Sequence, residues 1–130
     1  MAAINAGGDI TAAILSPQAW IPMSLLNSWA NVGGGAPTAQ YRLWLLSNEV
    51  EMIGEVSGGA ITTGTLLNSA LPSAYLPATA QTIGIRCILG AATAGPLQYA
   101  RVTTGGQIDL QGIPSGTTRI AWHDTISLDA

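Results

Sequence analysis

Gln40-Tyr41-Arg42-Leu43-Trp44-Leu45-Leu46-Ser47-Asn48-Glu49-Val50-Glu51-Met52-Ile53-Gly54-Glu55-Val56-Ser57 consists of two runs of alternating residues around a short polar break. Tyr41, Leu43 and Leu45 alternate with Arg42, Trp44 and Leu46. After the break, Val50, Met52 and Val56 alternate with Glu49, Glu51, Ile53 and Glu55. A period of two belongs to a strand, whose successive side chains point to opposite faces. The stretch therefore predicts a β-hairpin from Gln40–Leu46 and Glu49–Ser57, with Ser47-Asn48 as a two-residue loop. That register sets Leu43 opposite Met52 and Leu45 opposite Val50, with Tyr41 and Val56 on the same core-facing side. The second face then mixes three glutamates with Trp44, Leu46 and Ile53, a composition suited to a surface that meets a partner.

Outward from this hairpin the pattern repeats. Leu97–Thr103 and Gln107–Gln111 flank Thr104-Gly105-Gly106. A two-residue loop would set Val102 against Asp109 and Arg101 against Leu110. A three-residue loop sets Val102 against Ile108, Ala100 against Leu110 and Arg101 against Asp109, and is preferred because like meets like and charge meets countercharge. Thr82–Leu89, Arg119–Leu128 and Thr65–Leu71 supply further strands, with Pro72 closing the last. Ile120, Trp122, Ile126 and Leu128 share one phase. Asp124 falls in that phase too, which predicts a bulge or a strand break near His123-Asp124. Short strands at this spacing, with no competing helical period, indicate a sandwich or small barrel. The expectation is an all-β fold, a single antiparallel β-sandwich of jelly-roll type over residues 20–130, preceded by an N-terminal extended arm over residues 1–19. The arm competes with a short helix over Ile10–Leu15 capped by Asp9, and six residues make a poor free-standing helix.

Length and charge narrow the function. A chain of 130 residues suits one domain. Charged residues make up 8% of it, where about 25% is usual. Arg42, Arg86, Arg101 and Arg119 are the cations, lysine is absent, and the arginines never cluster. Nucleic acid is therefore not an expected partner, because phosphate binding needs concentrated positive charge. Apolar residues reach 48%, which excludes the low hydrophobicity of disordered chains. A surface so poor in charge favours association, so a permanent oligomer or a place in a particle is one explanation; a coding bias toward Ala, Gly and Arg is the other. No apolar run approaches a membrane span, and Met1-Ala2-Ala3-Ile4-Asn5 does not read as a secretory signal. Cys87 is alone, which excludes an internal disulfide and a cysteine metal cluster, and reads as a small core side chain.

Catalysis would have to involve His123, the single histidine. As strand neighbours, His123 and Asp124 point to opposite faces and cannot form the base–orienter bond of a triad. No Gly-x-Ser-x-Gly, His-Glu-x-x-His or Cys-x-x-Cys occurs. A histidine bonded to a hydroxyl or carbonyl at a strand end is the expected reading, and no cofactor or metal is expected. Glu49 and Glu51 share a face about 7 Å apart, but on one hairpin arm rather than across a cleft, so a solvated acidic stripe is expected. Gly33-Gly34-Gly35, Gly58-Gly59 and Gly105-Gly106 read as turns, since a P-loop needs a lysine.

The order of the segments resembles a β-sandwich domain common in bacteriophage virion proteins, at the C-termini of tail fibres and minor tail proteins and sometimes in head decoration proteins. The likeness runs through Trp20, Leu25-Leu26-Asn27-Ser28-Trp29, Gly33-Gly34-Gly35 and Pro37-Thr38-Ala39-Gln40-Tyr41-Arg42. It continues through Val50–Gly59, Thr63-Gly64-Thr65, Leu71-Pro72-Ser73-Ala74-Tyr75-Leu76-Pro77, Ile108–Gly112 and Thr125-Ile126-Ser127-Leu128-Asp129. Ala74 stands where that family usually has glycine, and alanine does not share glycine's tolerance of positive φ. The resemblance implies a non-enzymatic homotrimer in the virion, made in the host cytoplasm and partnered by the major capsid protein or by tail proteins. The short lead before residue 20 favours a decoration protein on the capsid exterior. The alternative is a tail-tip receptor-binding protein recognising a host surface glycan, which predicts an exposed aromatic platform among Trp44, Trp29 and Trp122. Trp44, Leu46, Ile53 and Trp29 are the candidate interface residues.

Overall fold

In the computed structural model, residues 16–91 and 95–129 are described. Among them nine strands form one antiparallel sheet: β1 (Ile21–Pro22), β2 (Ala30–Asn31), β3 (Gln40–Trp44), β4 (Glu49–Ser57), β5 (Thr65–Leu66), β6 (Gln81–Leu89), β7 (Leu97–Val102), β8 (Ile108–Leu110) and β9 (Thr117–Ser127). Their order is β1-β3-β4-β9-β6-β7-β8-β5, with β2 also on β4. The fold is all-β, as the alternation predicts. The sheet curls until its ends meet. Leu25, just after β1, bridges to Asn68, just after β5. The Leu26 N–H donates to the Leu67 carbonyl at 2.9 Å, and the Ser69 N–H to the Ser24 carbonyl at 2.9 Å. The layers expected of a sandwich are thus opposing parts of one hydrogen-bonded sheet, and the two end strands are tied together instead of being left as open edges.

The inner face holds Tyr41, Val50, Met52 and Val56 from the first hairpin, Ile83, Ile85 and Cys87 from β6, and Ile120, Trp122 and Ile126 from β9. Burial pushes the Cys87 thiol up, outweighing a hydrogen bond with Thr117. Trp29 is also a core side chain, 5% exposed, and not part of an aromatic platform. Its ring lies against Gly59, where a Cβ would sit 2.1 Å from the indole, so only glycine allows this packing. Trp122 is buried in the same way, over Gly54.

The first hairpin departs from the expected register. Tyr41 pairs with Met52 and Leu43 with Val50, a shift of two residues, and Leu45–Asn48 form a four-residue loop. Both tight hairpin turns need positive φ at their first central residue, and here Asn48 (φ 52°) takes it while Ser47 does not. A shift of two preserves the faces, so the inner side is the one expected, with Leu45 moved into the loop. The second hairpin has the expected pairing, Arg101 with Asp109 and Val102 with Ile108.

Two strands differ in extent. β5 stops at Leu66 instead of running to Leu71, because the Asn68 side chain takes over the ladder: its Oδ1 accepts the Ile108 N–H at 2.8 Å. β9 runs unbroken through His123-Asp124. Asp124 keeps its inward phase because its carboxylate is capped by backbone, accepting the Gly84 N–H at 3.0 Å and the Thr125 N–H at 2.8 Å. Ala74 lies in a 3-10 turn, Ser73–Tyr75, and is not among the residues of positive φ, so alanine fits without strain. This turn sets Tyr75 edge-on against Tyr41, with ring centroids 5.0 Å apart. The helix-or-arm question at residues 1–15 lies outside the described residues. Gln18, at the end of that lead, donates its N–H to the Leu43 carbonyl at 2.9 Å.

Candidate functional site

The outer face of β3, β4, β9 and β6 carries a row of charged groups. On it Arg42 lies opposite Glu51, Ile53 opposite His123, and Arg86 opposite Ala121. Diagonal neighbours on a sheet are within reach of long side chains, and Glu51 uses that reach. Its Oε1 accepts from Arg42 Nε at 2.7 Å and from Trp44 Nε1 at 2.9 Å, and its Oε2 meets His123 Nε2 at 2.5 Å. Arg42 in turn lies over the Trp20 ring, 4.0 Å from its centroid, and 5.4 Å from that of Trp44. Burial alone would raise the Glu51 pKa, but hydrogen bonds from His123, Trp44 and Arg42, with the Arg42 charge, hold it at about 2. Glu55 is paired as well, with Arg119 at 3.2 Å.

The expected solvated acidic stripe is therefore a hydrogen-bonded cluster, with Glu51 only 8% exposed. His123 is bonded to a carboxylate in mid-strand, not to a hydroxyl or carbonyl at a strand end. Its partner is Glu51, 72 positions away in sequence, and not the adjacent Asp124.

Beside this cluster the sheet opens. β6 follows β9 only as far as the Ile85–Trp122 pair. Beyond it side chains span the gap. Asp124 binds the Gly84 N–H, and the Gln81 amide takes the Ser127 N–H at 2.9 Å and donates to the Ser127 carbonyl at 2.5 Å. Over this wedge lies an open groove of about 480 Å³, lined by Ala121 and Gly84 and surrounded by Pro37, Ile53, His123, Asp124, Arg86 and Leu97. Among the described residues no group of three or more His, Cys, Asp or Glu is placed to hold a metal ion. No helix there is long and apolar enough to cross a membrane.

Of the four candidate interface residues, Trp44 and Ile53 flank Glu51 on this face, Leu46 stands 46% exposed in the hairpin loop, and Trp29 is in the core. Arg86, Gly84 and the Glu51–His123 bond were not foreseen. Arg86 and Gly84 occupy alternate, outward positions of a strand the sequence predicts, so their phase was the available signal.

No protein-family model and no curated protein matches the chain. Among solved structures, the fold is similar to that of the receptor binding protein gp15 of Listeria phage PSA, with a TM-score of 0.63, 15% sequence identity, and coverage of 88% of this chain and 68% of that one. At such identity the likeness is one of fold, the all-β architecture of a phage receptor binding protein, and function has to be argued from the site.

Proposed function

We propose that the chain is a non-enzymatic bacteriophage virion protein that serves as a receptor-binding module of the tail, presenting the outer face of β4, β9 and β6 to a host-surface glycan. The observation that carries this reading is the fold shared with a phage receptor binding protein. The groove on that face adds a concave site of the kind small ligands use. The capsid-decoration role expected from the short lead has no comparable support. Antibody raised against the purified chain should place immunogold at the tail tip of the particle that carries it. Gold confined to the shell would reinstate decoration.

The module acts as a homotrimer in this proposal. Leu46 and Tyr99 are 46% and 63% exposed in a chain with 8% charged residues, which leaves apolar surface that association would cover. Multi-angle light scattering should return about three times the chain mass. A stable monomer at micromolar concentration would remove the trimer.

A further inference from the structure

We propose that the groove over Ala121 and Gly84 binds an acidic sugar, whose carboxylate or phosphate is held by Arg86; the inference deepens, and rests on, the receptor-binding reading. The first argument is electrostatic. Three of the four arginines have a carboxylate: Arg42 has Glu51, Arg101 has Asp109 and Arg119 has Glu55. Arg86 has none among the described residues, and it stands exposed at the groove. The carboxylates nearby are already committed. Both oxygens of Asp124 accept backbone N–H groups, and Glu51 is held by Arg42, Trp44 and His123. Arg86 is thus the groove's cation without a carboxylate partner, while Asp124, which also lines the groove, has both oxygens turned onto backbone N–H groups; a guanidinium's planar fork matches a carboxylate or phosphate through two parallel hydrogen bonds.

The second argument is shape. Gly84 and Ala121 leave room on a sheet face that larger side chains would fill, and Ile53 and Leu97 supply apolar sides against which the C–H face of a sugar ring can lie. With Nε2 bonded to Glu51, His123 has Nδ1 left for a hydroxyl. The volume, about 480 Å³, falls within the roughly 300–1,000 Å³ of small-ligand sites.

The test is an amide NMR titration of the full chain with glucuronate, glucose 6-phosphate and neutral glucose. One or both acids should move the signals of Gly84, Ala121 and His123, the tighter one identifying carboxylate or phosphate as the group recognised, while glucose at the same concentration leaves them in place. Arg86→Gln should weaken the acid at least tenfold. Gly84→Ala should weaken it too by raising the floor, since the added Cβ meets nothing closer than Leu97 Cδ1 at 3.6 Å, an ordinary contact. Absence of shifts with either acid, equal shifts with glucose, or unchanged affinity in both folded variants would overturn the site. Acid binding by a chain whose immunogold lies on the shell would sink the tail reading and leave the groove. A tail-located chain that ignores both acids would do the opposite.

Discussion

Asn68→Ala should destabilise the protein by about 3 kcal/mol, from the loss of partners for buried backbone groups. Asn68 is fully buried where the two ends of the sheet meet. Its Oδ1 accepts the Ile108 N–H at 2.8 Å, and its Nδ2 donates to the Gly106 carbonyl at 3.1 Å and the Ser69 carbonyl at 2.9 Å. Alanine leaves the Ile108 N–H and the Gly106 carbonyl unpaired, and each such group costs roughly 1–3 kcal/mol. Urea unfolding at pH 7 measures the effect. A loss below about 0.5 kcal/mol, the range of ordinary surface substitutions, would show that the junction is not held by this side chain.

Glu51→Gln should remove on the order of 2–3 kcal/mol at pH 7 and, with it, a specific part of the acid sensitivity. The Glu51 carboxyl is held at about 2 against an ordinary value of 4.5, by donors that outweigh its burial. A group whose folded pKa is depressed contributes stability that is complete above its unfolded pKa and is lost as pH falls toward the folded one. The wild type should therefore lose this increment between pH 4.5 and about 2. Glutamine cannot titrate, so the difference in unfolding free energy between the two proteins should shrink across that window. Taking the difference cancels the other carboxylates. A constant difference from pH 6 to 2 would show that Arg42, Trp44 and His123 do not favour the charged form.

The strands and their inward phases are legible in the sequence because alternation reports burial directly, and β3, β4, β6 and β9 follow it, whereas β7 turns Leu97 and Tyr99 outward. What was not legible came from pairing. In the second hairpin, matching Arg101 to Asp109 selected the correct loop. The same criterion applied to the first would have set Arg42 opposite Glu51, which is the observed pair and two residues from the register that a two-residue loop imposes. The error in the loop concealed the cluster. With Arg42 placed opposite Ile53, Glu51 has no visible cation and reads as solvated. The Glu51–His123 bond depends on β9 lying beside β4, a neighbourhood between strands 60 or more positions apart that no local pattern encodes. Trp29 was misplaced for a different reason. It sits outside any long strand, where phase says nothing, and only the bare Gly59 backbone beneath it makes room for the indole.

The position of β9 has a consequence for how the molecule is made. It lies between β4 and β6, which pair with it on either side. Synthesis delivers both neighbours first. Until β9 arrives, β4 and β6, nine residues each, present open edges and apolar faces, the state in which strands pair with the wrong chain. Pairings so distant in sequence also form slowly, because loop-closure entropy must be overcome before any contact rewards it. The nascent protein thus passes through an aggregation-exposed interval that ends when β9 slots between β4 and β6.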